Sequence, residues 1–195
     1  MSSKKFIIEH LEPRLWRWSL EEYRSASEIV GKSNLIFTNC SGIAKKAKKK
    51  LEKLGKVVNV KAEDFLKNKN KICILDPKAR KKLEPKEAKK FDYFVFGGIL
   101  GDNPPKGRTK LIKIPKAARR NLGKIQMSTD NAIAVVKRIV AGARLADLKF
   151  IDAPEILIKN GKIKTSVILP FRYLSIDGKP MISKGIEKLI KERKF

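Results

Sequence analysis

Residues 91–109 read FDYFVFGGILGDNPPKGRT, a strand-forming run that breaks into glycines beside a carboxylate. Tyr93-Phe94-Val95-Phe96 ends in Gly97-Gly98, and Gly101, Asp102, Asn103, Pro104 and Pro105 follow. A buried strand that opens into a glycine-rich turn serves a ligand at the carboxyl end of a parallel sheet, because glycine lets the backbone approach that ligand. The prolines stiffen the exit, and Pro104 biases Asn103 away from helix. A tight structural turn is the other reading of these glycines taken alone. A second segment, residues 120–132, reads RNLGKIQMSTDNA. Its Leu122-Gly123 turn leads into Lys124-Ile125-Gln126-Met127, after which Ser128, Thr129 and Asp130 offer two hydroxyls and a carboxylate at a helix start. Those side chains can cap the helix. Ile125 and Met127 are too apolar for an ordinary surface loop and are costly in water unless they line something. A flat apolar ligand with a few polar groups fits such a lining.

The elements that must position these loops alternate strand and helix. Strands are expected at residues 5–9, 35–38, 57–60, 72–75, 93–96, 111–114 and 149–151. Ser19 reads as the N-cap of a helix over residues 20–30, with Glu21 and Glu22 in its first turn and Gly31 as its stop. Ser41 heads a lysine-rich helix to Leu54 that Gly55 ends, and a short helix follows Pro85 around residues 86–89. A helix over residues 131–141 carries Ala132, Val135, Val136, Ile139 and Val140 at helical spacing, with Gly142 as its stop. The pattern then changes. Runs at residues 156–159 and 162–164 flank Asn160-Gly161, a two-residue hairpin signal. A second turn falls at Asp177-Gly178, and residues 185–193 form a terminal helix. Alternating units followed by a hairpin give an α/β fold with a mostly parallel sheet and an antiparallel addition.

The 195 residues suffice for one good core, and the apolar fraction of 42% is that of an ordinary globular domain. No run of 18 apolar residues marks a membrane span. Glu9, His10 and Glu12 interrupt the N-terminal apolar stretch, so no signal-peptide core is expected and the chain reads as soluble and cytoplasmic. Cys40 and Cys73 stand alone without zinc spacing, and two buried thiols are expected. The net charge of +26 favours a polyanionic neighbour, RNA or a ribosome, through phosphate neutralisation. A lysine-rich proteome or adaptation to heat gives similar numbers.

LGKIQMSTDNA (residues 122–132) resembles the last cofactor loop of the SPOUT, or α/β-knot, methyltransferases, and FVFGGILGD (residues 94–102) resembles their earlier loop. Ile99 and Leu100 stand where many members carry a glutamate, so that family base does not carry over. IIEHLE (7–12), LDPKA (75–79), KKFDYFVFGGILGDNPPKGRT (89–109), KFIDAPEI (149–156) and LPFRY (169–173) resemble the branch of the eukaryotic SPOUT protein-arginine methyltransferase, which modifies a small-subunit ribosomal protein. The lysine-rich helix near residues 44–54 lies outside that signature. The resemblance implies one SPOUT-type domain over residues 1–195, with a deep C-terminal trefoil knot and a hairpin extension at about residues 155–180. It also implies S-adenosylmethionine as cofactor, held by Gly97, Gly98, Gly101, Leu122, Gly123, Gln126, Met127, Ser128, Thr129 and Ala132. Ile99, Leu122 and Ile125 would pack the adenine, and Asp76 would face the site. Most relatives dimerise through the knot, and this branch is implied to act as a monomer.

If the acceptor is arginine, its proton decides the chemistry. A guanidinium pKa of about 13.8 makes prior deprotonation at neutral pH cost about 9 kcal/mol. A carboxylate that pairs with the cation and takes the proton late avoids much of that cost. Asp102, Glu9 and Glu155 are the candidates, with Asp102 first because it lies in the cofactor loop. His10, the only histidine, follows Glu9 at a strand end and joins Arg108 and Arg172 as a candidate for binding substrate. The two arginines suit a phosphate if the substrate is RNA and an acidic peptide if it is protein. Trp16 and Trp18 read as core cover. No metal site is expected. The leading expectation is methylation of an arginine on a ribosomal protein, the alternative methylation of tRNA or rRNA. A third reading is a non-catalytic RNA- or ribosome-binding protein.

Overall fold

Strands too short and too apolar to keep a wet face, such as Ile72–Leu75, belong in a sheet covered on both sides. The computed structural model describes residues 4–101, 104, 106–160 and 163–192. In it β1 (Lys5–His10), β2 (Leu35–Thr38), β3 (Lys56–Val57), β4 (Ile72–Leu75), β5 (Tyr93–Gly98) and β6 (Ala118–Arg120) form one sheet. Their order is β3-β2-β1-β5-β4-β6, and every pairing is parallel. The helices are α1 (Arg17–Val30), α2 (Lys45–Glu52), α3 (Ala62–Phe65), α4 (Pro85–Ala88), α5 (Thr129–Val140) and α6 (Lys184–Lys191). The two-residue period of the strands divides the core. Phe6, Ile8, Phe94 and Phe96 pack with Tyr23 and Ala26 of α1 and Ile133 and Val136 of α5. Ile7, Ile72, Ile74 and Val95 pack on the other face with Ala62, Leu66, Ile112 and Ile114.

The antiparallel addition has two parts. β10 (Arg172–Ile176) pairs with β7 (Phe150–Asp152) on one side and β11 (Lys179–Pro180) on the other. Asp177 and Gly178 between β10 and β11 both have positive φ, +50° and +77°, as a two-residue hairpin turn requires. β8 (Glu155–Asn160) pairs with β9 (Ile163–Ile168), with Asn160 opposite Ile163. Gly161, in the turn expected between them, lies outside the described residues. Tyr173, Ile158 and Leu169 form a third apolar cluster with Ile186 and Ile190 of α6.

Several elements differ from the pattern-based expectation. Residues 111–114 do not form a strand. Arg108–Leu111 is a 3₁₀ turn, and Ile112 and Ile114 are buried beneath the sheet. The strand there is Ala118–Arg120, whose Ala-Arg-Arg sequence has no alternation and is held by backbone pairing to Cys73–Leu75. Helix α1 starts at Arg17 with Trp16 at its N-cap, so Ser19 is a buried residue of the first turn. Helix α2 starts after Ala44, whose carbonyl accepts from Lys48 N at 3.0 Å, and ends at Glu52. The third strand shrinks to Lys56–Val57. Helix α5 is buried at Ile133 and Ala134 as well as at Val135, Val136 and Ile139, while Ala132 and Val140 are only half-buried. Cys40 and Cys73 are buried free thiols, and burial pushes them up to about 11 and about 12.

Candidate active site

The carboxyl ends of β4 and β5, the loop after β6 and the first turns of α5 converge on one cleft, where a parallel α/β sheet places its ligands. Leu75, Asp76, Pro77 and Lys78 come from β4 and its exit, and Phe96, Gly97 and Ile99 from β5. Lys106 to Thr109 form another wall, and the unbroken run Leu122 to Met127, with Thr129 and Ala132, closes the cleft. The wall is largely apolar, and Ile125 keeps 42% of its surface exposed there, which is how an isoleucine in a loop is put to use. Of the residues expected around a cofactor, Asp76, Gly97, Ile99, Leu122, Gly123, Ile125, Gln126, Met127, Thr129 and Ala132 line the cleft. Gly98, Gly101 and Ser128 stand behind the lining. A Cβ at Gly98 would meet Tyr23 Oη at 2.3 Å and Ile8 Cγ2 at 2.8 Å, and one at Gly101 would meet the Phe171 ring. Ser128 Oγ donates to Asp130 Oδ1 at 2.7 Å.

Each wall is held from behind. Asp76 accepts from Lys78 N at 2.9 Å and pairs with Arg119 Nη1 at 2.8 Å. Asn121 Oδ1 accepts from Gly123 N at 2.9 Å while its amide donates to the Ala79 carbonyl at 2.7 Å, which fixes the turn into the last loop. That loop is pinned at its far end, where Arg172 N donates to the Gln126 carbonyl at 2.8 Å. Asn131 ties α5 to β10 by accepting from Leu174 N at 2.8 Å.

Two buried carboxylates meet at the start of α5. Glu22 of α1 accepts from Thr129 N at 3.2 Å and from Trp18 Nε1 at 3.0 Å, so a neighbouring helix supplies the cap that Ser128 does not. Asp130 accepts from Ser128 Oγ and from Asn131 N at 2.9 Å. Burial, then the nearby Asp130 charge, pushes the Glu22 carboxyl up to about 8, and burial raises Asp130 as well. The α5 N-terminus therefore carries a carboxylate pair that holds a proton near neutrality. The pattern showed Glu22 only as an acid in a helical first turn; its burial follows from the packing of α1 on α5.

The other candidates separate. Asp102 lies outside the described residues. Glu9 points to the opposite face of β1 from the Tyr23 side. Its carboxylate accepts from Thr38 Oγ1 and, at 2.7 Å, from Ala62 N, capping α3, and burial raises its pKa. Glu155 is exposed on β8, opposite Ile168. Neither Glu9 nor Glu155 is among the residues lining the cleft, so the carboxylates expected to share it do not meet there. His10 is buried with Nδ1 3.0 Å from Tyr23 Oη, and burial lowers its pKa, so it is neutral at pH 7 and part of the α1–β1 packing. Arg172 makes a two-armed pair with Asp152, at 2.6 and 2.7 Å, over the Phe150 ring. Arg108 does line the cleft, paired with Glu12 at 2.7 Å. In the sequence Glu12 stood out only as the end of IIEHLE and as an interruption of the N-terminal apolar stretch, because nothing local says that it folds back onto the glycine loop.

The sequence profile of the protein arginine N-methyltransferase SFM1-like family matches residues 5–194. The chain belongs to that family. Within the SFM1-like family it is 40% identical over 205 residues to the protein arginine N-methyltransferase SFM1 of Saccharomyces cerevisiae, covering 96% of this chain and 94% of the yeast protein. The yeast SFM1 structure complexed with SAM matches with a TM-score of 0.87 at 36% identity, over 99% of this chain and 92% of that one. A Trm10 from Thermococcus kodakaraensis shares the fold at 19% identity and a TM-score of 0.56, over 73% of this chain and 95% of that one. The SFM1-like chain has the SPOUT-type α/β-knot fold.

Proposed function

We propose that this chain is a protein arginine methyltransferase that takes its methyl group from S-adenosylmethionine and acts on a ribosomal protein. The observation that carries the reading is the correspondence, over 99% of the chain, with the SAM-bound yeast SFM1 structure, together with the cleft at the matching loops. The residues present fit that donor. Ile99, Leu122, Ile125 and Met127 offer apolar walls to a flat base, and Gln126, Thr129 and Asp76 offer polar atoms. A Cβ at Gly97 would stand 3.0 Å from Ile99 Cδ1, so a side chain there would crowd the apolar wall. When bound, the donor supplies a methyl group already activated on a sulfonium. The protein must then position the acceptor and manage its proton. Asp102 is the proposed proton acceptor, supported by its place one residue after Gly101 in the glycine loop.

The ribosome is the proposed partner, and the net charge of +26 supports docking on a particle rich in phosphate. The proposed setting is the cytoplasm and the proposed state a monomer. Among the described residues no helix is long and apolar enough to cross a membrane. The test is incubation with labelled S-adenosylmethionine and ribosomes from cells lacking the gene, followed by separate nuclease and protease digestion. Label released only by protease, and recovered as methylarginine on hydrolysis, is the expected result. Label released only by nuclease overturns the reading in favour of an RNA substrate.

A further inference from the structure

Glu12 leaves the end of β1 and turns back onto the glycine loop. Its Oε1 accepts from Leu100 N at 2.9 Å and lies 2.7 Å from Arg108 Nη2. Arg108 Nη2 also reaches the Leu100 carbonyl, at 3.3 Å. The Glu12 side chain is only 8% exposed. A carboxylate this deeply placed is expensive unless a cation meets it, and Arg108, itself part of the cleft wall with Gly97 and Ile99, is that cation. The molecule therefore already holds a guanidinium between a carboxylate and a backbone carbonyl; Arg108 lines the cleft, and Glu12 stands behind it rather than in the lining. This is the arrangement an arginine acceptor needs, since carboxylates recognise guanidinium by short charge-assisted hydrogen bonds.

We infer that Glu12 is the subsite for the acceptor guanidinium, and that Arg108 fills it as an internal stand-in until a substrate arginine displaces it. This rests on the reading of the chain as an arginine methyltransferase. The two halves of the pair differ in the way displacement requires. Glu12 is anchored: Leu11 N bonds to the Gly98 carbonyl at 3.1 Å, continuing the β1–β5 register, and Leu100 N holds the carboxylate itself. Arg108 is on the short 3₁₀ turn Arg108–Leu111, entered through Gly107 at φ +62°, and its side chain is 24% exposed.

The test uses ethylguanidine as the probe, titrated by NMR into the full chain and into Arg108→Ala and Glu12→Gln, with thermal melts and the dispersion of the remaining amide signals as the control for fold. Glutamine keeps the acceptor for Leu100 N and loses the charge. Expected is displacement of the Arg108 Nε–H signal in the parent chain. Arg108→Ala should bind the probe on the order of tenfold tighter, because the internal competitor is gone, and Glu12→Gln should show no saturable binding. Arg108→Ala alone decides if Glu12→Gln fails to fold: probe binding no tighter than in the parent makes the ion pair a structural strut and overturns the inference. Absence of methylarginine on ribosomes with the parent chain would instead sink the enzymatic reading, whatever the probe does.

Discussion

At the scale of single residues, burial, more than identity, decides what each acid does. Glu9, Glu12 and Glu22 are all carboxylates on or near the first two elements, yet one caps α3, one pairs with Arg108, and one caps α5 beside Asp130. Glu22 has a consequence for stability. Its pKa rises from 4.5 to about 8 on folding, because burial and Asp130 disfavour its charge. A raised folded pKa means that the native state binds the proton more tightly than the unfolded chain does. The stabilisation is therefore complete below about pH 4.5 and is lost as pH rises towards 8. Urea unfolding at pH 5, 6.5 and 8 should show stability falling with pH. In Glu22→Gln that fall should shrink to less than half, although the amide forfeits one acceptor and costs about 1 kcal/mol at low pH. An unchanged slope in the variant would assign the trend to another group.

At the scale of elements, the strand that ends in Gly97-Gly98 serves two masters, and period-two alternation keeps them apart. Gly98 faces α1: an added Cβ would lie 2.3 Å from Tyr23 Oη, 2.8 Å from Ile8 Cγ2 and 3.1 Å from the Glu9 carbonyl, all in packed structure. Gly97 faces the cleft, where a Cβ would meet only the movable ends of Ile99 and Leu11, at 3.0 and 3.6 Å. Gly98→Ala should therefore lower the unfolding free energy by about 3 kcal/mol, whereas Gly97→Ala should leave the melting temperature near its parent value. Gly97→Ala should instead weaken S-adenosylmethionine binding on the order of tenfold; calorimetry and thermal melts on both variants separate the two effects. Equal loss of stability in both would mean that the cleft wall is as tightly packed as the α1 interface. The same elements show what the pattern of residues could say. Leu35–Thr38 and Ile72–Leu75 are legible because four successive apolar or β-branched residues permit little else. Ala118–Arg120 is not, because its place comes from the backbone of β4. The loop residues of the cleft were legible through Ile125 and Met127, apolar where water would otherwise be. Glu12 and the Glu22–Asp130 pair were not, because each depends on contacts across the chain, 88 and 107 positions apart for Leu100–Glu12 and Thr129–Glu22.

At the scale of the whole molecule the dominant quantity is charge, 46 lysines and arginines against 20 acids. Ion pairs use some of the basic residues at the cleft and its supports, as at Arg108, Arg119, Arg120 and Arg172. The lysines of α2 are different. Lys45, Lys46, Lys49 and Lys50 are exposed, and only Leu51 of that helix is buried. They contribute nothing to the core, and none of the ion pairs among the described residues includes them. α2 contributes no residue to the lining of the cleft. A helix that carries so much charge at no benefit to the fold is suited to holding a polyanion by counterion release. If the ribosome is met through rRNA on this face, replacing Lys45, Lys46, Lys49 and Lys50 by serine removes four phosphate contacts. The slope of log K against log salt for ribosome binding should then become shallower by about 3, with S-adenosylmethionine affinity and thermal stability unchanged. Methylation of a short arginine peptide, too small to touch α2, should proceed at the parent rate, while methylation of intact ribosomes should fall steeply at physiological salt. A parent-like salt slope in the fourfold variant would move the docking surface elsewhere, to the basic stretch of Arg80, Lys81, Lys82, Lys86 and Lys90 on the opposite edge of the sheet, beside β6.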